Sequence, residues 1–277
     1  LPDRSAEDVL ALIDTWPVPR ASAAILREGV VVATRGDANF VYRLASLSKM
    51  MTAWAVLIAV EEGITSLDEP VGPATVRHLL AHASGFGFDG DKPLMAPGRR
   101  RIYSNTGIET VAQHVAERAD MRFADYLRHA VFTPLGMASS ELRGSAAYNV
   151  FSTIHDTSAF VAELMRPRLV SPATAKEATT VQFAELGGVI PGLGSFTPNP
   201  WGLGVEIRGS KSPHWTGTTN SPTTFGHFGG SGTMAWVDPM IDTALVALTD
   251  RAFDEWAGDA LRLWPEISDA AVAWAGA

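Results

Sequence analysis

The sequence predicts an α+β fold, an antiparallel sheet built from both chain ends and flanked by terminal helices, with a helical lobe inserted between the two halves. Three observations carry this. Runs with strand character cluster near residues 23–44 and 202–249, helical periodicity broken by Gly, Pro and Asp fills the stretch between them, and a helical pattern closes each end. The expectation is one compact unit over 1–277, with a sheet lobe at about 1–45 and 201–277 and a helical lobe at about 46–200.

The elements follow in order. Ser5 is a helix N-cap, Glu7 and Asp8 suit the first turn, and Val9, Leu10, Leu12 and Ile13 make the apolar face of a helix reaching Trp16. Runs 23–27 and 30–33 flank Glu28-Gly29, a tight hairpin, and 40–44 adds an edge strand. A helix from Ser46 to Glu62 stops at Gly63; from Met50 to Val60 only Thr52 is polar, so this helix is apolar all round and belongs inside the protein. Helical pieces follow at 75–82, 106–119, 123–131, 157–165 and 172–180. The Gly/Pro-rich stretch 187–200 reads as a rim or lid loop. Strands return at 202–208, 232–237 and 243–249, before a last helix over 253–274.

Composition narrows the function. The 277 residues, 46% hydrophobic, bury a large core, and a net charge of −8 leaves no basic surface for nucleic acid. The absence of cysteine removes disulfides, thiolate catalysis and zinc held by thiolates. No apolar run approaches the roughly 20 residues of a membrane span. The first residues, LPDRSAEDVL, lack the order of a signal peptide, and a cleaved signal would leave the same chain, so the compartment stays open.

The chemistry centres on Ser46 and Lys49. Three residues apart on a helix, they share a face, and nowhere else in the chain does a serine precede a lysine at this spacing. A lysine in apolar surroundings has a lowered pKa and can take the serine proton, while the helix N-terminus adds positive potential where an oxyanion forms. With its flanks, the chain resembles the serine β-lactamase and penicillin-binding protein superfamily, in the branch of class C β-lactamases, serine DD-peptidases and family VIII esterases. Its first motif, S-x-x-K, matches Ser46 and Lys49; its second, Y-x-N, matches Tyr103 and Asn105 in 97-PGRRRIYSNTG-107; its third, K-T-G or H-x-G, is similar to 226-GHFGGSG-232, with His227 and Gly229. The stretches 78-HLLAHASG-85 and 201-WGLGVE-206 are lesser matches. The resemblance implies a β-lactamase/transpeptidase-like fold and an acyl-enzyme on Ser46, with Lys49 and Tyr103 as proton carriers. It also implies substrate contacts from Asn105, His227, Gly229 and Gly230, the Gly230 N–H completing an oxyanion hole with that of Ser46.

On this reading Tyr103 serves as a base only if Lys49 or His227 favours phenolate, and Asn105 holds either the substrate amide or the Lys49 amine. The glycines admit substrate close to the strand. H-F-G in place of K-T-G removes a lysine charge and a threonine hydroxyl that would receive a substrate carboxylate, which favours a small ester over a β-lactam or a D-amino-acid peptide. These three are the substrate classes in view, with a non-catalytic binder on the same fold as the alternative of another class. No cofactor or metal is expected: His78 and His82 lack a third ligand and read as structural. Arg99, Arg100 and Arg101 read as a solvated run beside Tyr103, and Trp215-Thr216-Gly217 as a false third motif. No G-x-S-x-G occurs, which disfavours an α/β-hydrolase.

Overall fold

The computed structural model describes residues 4–276. Six strands form the main sheet, in the order Glu206–Ile207, Phe225–Gly229, Thr233–Asp238, Thr243–Thr249, Ala21–Arg27 and Val30–Arg35, every neighbour antiparallel. The two chain ends meet where Ala21–Arg27 pairs with Thr243–Thr249 along its full length, from Ala21 opposite Thr249 to Arg27 opposite Thr243.

Both faces of this sheet are covered, and residue parity decides which side chain goes where. Ala24, Leu26, Ala235, Val237, Ala244, Val246 and Leu248 pack against the helical part of the chain. Their neighbours Ala23, Ile25, Met234, Trp236, Leu245 and Ala247 pack against the terminal helices through Val9, Leu10, Ile13, Trp264 and Ile267. At about 1.5–3 kcal/mol for each fully buried large apolar side chain, these two layers fix the sheet register, since a slip of one residue exchanges the faces. Ser48–Glu61 lies within the first layer and buries every residue from Ser48 to Ala59.

Several elements differ from expectation. The N-terminal helix is α-helical over Ala6–Leu10, with a Ser5/Asp8 capping box, and tightens to a 3-10 helix over Ala11–Thr15. Tyr42–Arg43 is not an edge of the main sheet; it joins Val150–Ser152 and Glu141–Leu142 in a small separate sheet. The strand expected over 202–208 shrinks to Glu206–Ile207. Gly204, at φ +78, turns the chain against helix Ser48–Glu61, where a Cβ would stand 2.1 Å from that of Ala53. The stretch 187–200 holds a hairpin, Gly188–Ile190 with Gly194–Phe196, docked in parallel on Arg101–Ile102.

Arg101 corrects the solvated-run reading. It is buried and donates to the carbonyls of Ala81, Gln182, Phe183 and Asn199, tying this hairpin and the following loop to the helical part. A guanidinium with several carbonyl partners can be buried because its donors are satisfied. Burial still lowers its pKa, to about 10.

Candidate active site

The chain enters the site through a strained turn. Ala45 takes φ +46, and Ala45–Leu47 is a 3-10 turn leading into α-helix Ser48–Glu61. Ser46 therefore sits one turn ahead of the α-helix rather than on it, with Lys49 in its first turn. Strain of this kind, held by surrounding contacts, is common at sites where a side chain must be aimed. The contacts here come from the main sheet. Thr233 donates through Oγ1 to the Leu44 carbonyl at 2.8 Å and Ser231 through Oγ to that of Arg43 at 2.6 Å. Gly229 allows the approach, because a Cβ there would lie 2.5 Å from the Leu44 carbonyl. Gly229 thus makes room for the turn that carries Ser46. Gly230 has nothing within 4 Å of a Cβ position and lines the cavity.

Lys49 is completely buried, and its Nζ has three neighbours: Asn105 Oδ1 at 2.7 Å, the Ala147 carbonyl at 3.0 Å and Ser46 Oγ at 3.2 Å. The amide orientation of Asn105 follows from its other end, where Nδ2 donates to Asp89 at 3.1 Å. Burial pulls the Lys49 pKa down to about 7 against the opposing pull of the more distant Glu109 and Asp89 carboxylates. A neutral amine has two N–H groups and one lone pair. Asn105 Oδ1 and the Ala147 carbonyl can only accept, so they take the two N–H groups and the lone pair is left for Ser46. Both polar ends of Asn105 are thereby engaged, and of its two expected partners it holds the Lys49 amine.

Tyr103 and His227 meet across the cleft, with 3.3 Å between the phenol oxygen and Nε2. His227 Nδ1 lies 2.6 Å from the Phe228 carbonyl, an acceptor, so Nδ1 carries the proton and Nε2 accepts from Tyr103. Burial, reinforced by Lys49, pulls the His227 pKa down to about 3, and the ring is neutral at any ordinary pH. Burial also drives the Tyr103 pKa well above the usual phenol value; the Ser46 hydroxyl opposes this, and the Glu206 carboxylate adds to it. The resting site therefore holds a phenol donor, and the expectation that nearby cations favour phenolate fails because burial raises the phenol pKa, Lys49 is only partly charged near pH 7 and His227 is neutral.

Ser46, Tyr103, His227 and Gly230 line one cavity of about 190 Å³, with Phe88, Ile190, Pro191, Trp201, Phe228 and Phe253 making its apolar walls. Phe228 also packs on Trp215 and Trp264, so it belongs partly to the core. Among the described residues no lysine or arginine lines this cavity, whereas Glu206 and Asp254 do. Glu206, buried and held well below the usual carboxylate range by Lys211 and His214, accepts from Lys211 Nζ at 2.6 Å, His214 Nε2 at 2.8 Å and Trp215 Nε1 at 2.8 Å. The T-G false motif is therefore part of a buried polar cluster. Sequence reasoning missed Asp89, the Ala147 carbonyl and Glu206. Glu206 lay inside a quoted flank; Asp89 and Ala147 sit in loops with no pattern of their own.

The chain is similar to several known proteins. A β-lactamase family model matches residues 16–266. A β-lactamase structure from Mycobacterium bovis is 50% identical, with a TM-score of 0.94 over 96% of this chain and 99% of that one. The hydrolase EstCE1, described as having promiscuous acyltransferase activity, shares the fold with a TM-score of 0.77 at 18% identity, over 96% of this chain and 97% of its own. Penicillin-binding protein 4* of Bacillus subtilis is 28% identical over 134 residues, 36% of this chain and 30% of that protein, so the match spans less than a third of the relative. The chain belongs to the β-lactamase family, within the serine β-lactamase and penicillin-binding protein superfamily.

Proposed function

We propose that the protein is a serine hydrolase that cleaves small, uncharged esters through an acyl-enzyme on Ser46. The observation that carries this is the buried Lys49, whose amine is poised near pH 7 with its lone pair turned to Ser46 Oγ. As Oγ attacks the ester carbonyl, Lys49 takes the hydroxyl proton. The N–H groups of Ser46 and Gly230 receive the oxyanion. Collapse of the tetrahedral intermediate expels an alkoxide, and the Tyr103 hydroxyl supplies its proton, regaining one from the Lys49 ammonium. Water then attacks the acyl carbon, giving a proton to Lys49; the acyl C–Oγ bond breaks, Ser46 Oγ takes that proton back from Lys49, and the acid leaves.

The ester preference rests on the cavity walls. A substrate carboxylate would meet Asp254, a Glu206 already paired with Lys211, and a neutral His227, and among the described residues no lysine or arginine lines the cavity to receive it. An aromatic and aliphatic lining suits an acyl chain or an apolar alcohol. β-Lactam hydrolysis is the second reading, favoured by the half-identical Mycobacterium bovis protein described as a β-lactamase. Intact-mass measurement and steady-state rates with p-nitrophenyl butyrate, a penicillin and a D-alanyl peptide decide between them. Ester should acylate Ser46 and turn over fastest; faster hydrolysis of the penicillin would establish the second reading, and an adduct on another serine would overturn the mechanism.

A further inference from the structure

Behind Tyr103 lies a histidine that the mechanism does not use. His82 is completely buried, and its ring centroid is 4.7 Å from that of Tyr103 and 4.7 Å from that of Trp201. It touches the chain on both sides of the tyrosine. Its carbonyl accepts from the Ile102 N–H at 2.9 Å, and its ring Nδ1 accepts from the Ser104 N–H at 3.2 Å. Ser104 Oγ in turn donates to the Gly87 carbonyl at 2.6 Å and accepts from the Gly107 N–H at 2.9 Å, capping helix Asn105–Arg118. One residue thus fixes the backbone before and after Tyr103 and supports its ring.

The tautomer follows from the same contact. An Nδ1 that accepts an N–H carries no proton, so the neutral ring holds its proton on Nε2, which has no hydrogen-bond partner among the described residues. A buried N–H left unpaired is unfavourable. The molecule carries that cost at a position whose φ of +54 is also unfavourable for a histidine. Two local penalties at a residue wedged against the proposed proton donor point to a role in aiming it.

We infer that His82 is the positioning residue of Tyr103, holding the phenol hydroxyl between Ser46 and His227 chiefly through the bond its Nδ1 accepts from the Ser104 N–H. This rests on the reading of Tyr103 as proton donor. It assigns His82 no contact with substrate, and it separates two functions of the side chain, an acceptor at Nδ1 and a flat ring.

Variants separate them. His82→Asn keeps an acceptor in the place of Nδ1 and tolerates positive φ, whereas His82→Phe keeps the ring and removes the acceptor. For p-nitrophenyl butyrate, His82→Phe should lower kcat by about 10²-fold with KM changed less than about threefold, the pattern of a misplaced catalytic group rather than lost binding. His82→Asn should retain kcat within about fivefold per folded molecule, folding being checked by melting temperature. In a Tyr103→Phe background, His82→Phe should cost less than about threefold further, because the group it positions is gone. An undiminished loss in that background, or normal kcat in His82→Phe while Tyr103→Phe is impaired, overturns the inference and leaves the mechanism standing. Normal kcat in Tyr103→Phe removes the tyrosine reading and this inference with it. Should His82→Phe not fold, a loss of tenfold or more in folded His82→Asn is sufficient to overturn it.

Discussion

Two lysines of this protein are buried almost equally, Lys49 at 0% exposure and Lys211 at 3%, yet they are built for opposite ends. Burial lowers the pKa of both. Lys211 has a carboxylate in contact, Glu206 at 2.6 Å, and the pair is a closed ionic unit joined by His214 and Trp215. Lys49 touches an amide oxygen, a backbone carbonyl and a hydroxyl, while the nearest acids act on it only from a distance. Desolvation alone therefore does not make a base. A buried amine titrates near neutrality when its acceptors are uncharged, and stays a structural cation when one of them is an anion.

The comparison breaks most severely if Lys49 is removed. Lys49→Met should lower kcat/KM for ester hydrolysis by about 10²–10⁴-fold, as for loss of a positioned base, while the protein stays folded. Retained activity in steady-state assays would mean that Lys49 is as structural as Lys211. The converse test is Glu206→Gln, which leaves a buried lysine without its anion. Breaking such a pair typically costs about 3–5 kcal/mol, to be read by urea denaturation, with the remaining folded molecules keeping kcat within several-fold.

Asn105→Asp gives Lys49 the kind of partner Lys211 has. The added carboxylate should raise the Lys49 pKa, so that kcat/KM at pH 7 falls by about tenfold and recovers in more alkaline buffer. In the unaltered protein kcat/KM should rise with pH and level off above about 7, where Lys49 is neutral; His227, with its pKa near 3, contributes no step in that range. A profile flat from pH 5 to 9 would remove Lys49 from the role of base.

The smallest effect is on stability. The folded pKa of Lys49 lies below its ordinary value of 10.5, so between about 7 and 10.5 the unfolded chain holds the extra proton and stability rises with pH. The contribution between pH 7.5 and 9.5 should be about 1–2.5 kcal/mol, and Lys49→Met should abolish that part of the slope in urea melts.

Much of this was legible in the sequence. The run Thr243–Thr249 appears as a strand with the bounds expected of it, because seven residues with strong β character and turn residues on either side leave little choice. Ser46 and Lys49 are near each other in the sequence and remain near in space, for any helical turn brings residues three apart together. The strand expected over 202–208 failed because close packing of Gly204 on helix Ser48–Glu61 outweighed a local preference. Arg101 reads as one of three adjacent arginines, and nothing local distinguishes it from Arg99 and Arg100; its carbonyl partners arrive from three other segments.

The sequence by itself determined which residues alternate, which helix had to be buried, and that a serine and a lysine would share its head, since each depends on periodicity within one short segment. Only the tertiary structure decided that Lys49 is an amine titrating near neutrality, Lys211 an ion-pair cation, Tyr103 a phenol and His227 neutral. A pKa is set by the dielectric and by the charges within a few ångströms. For Lys49 those neighbours lie 56 and 98 residues away along the chain, and for Tyr103 and His227 the partner is 124 residues distant.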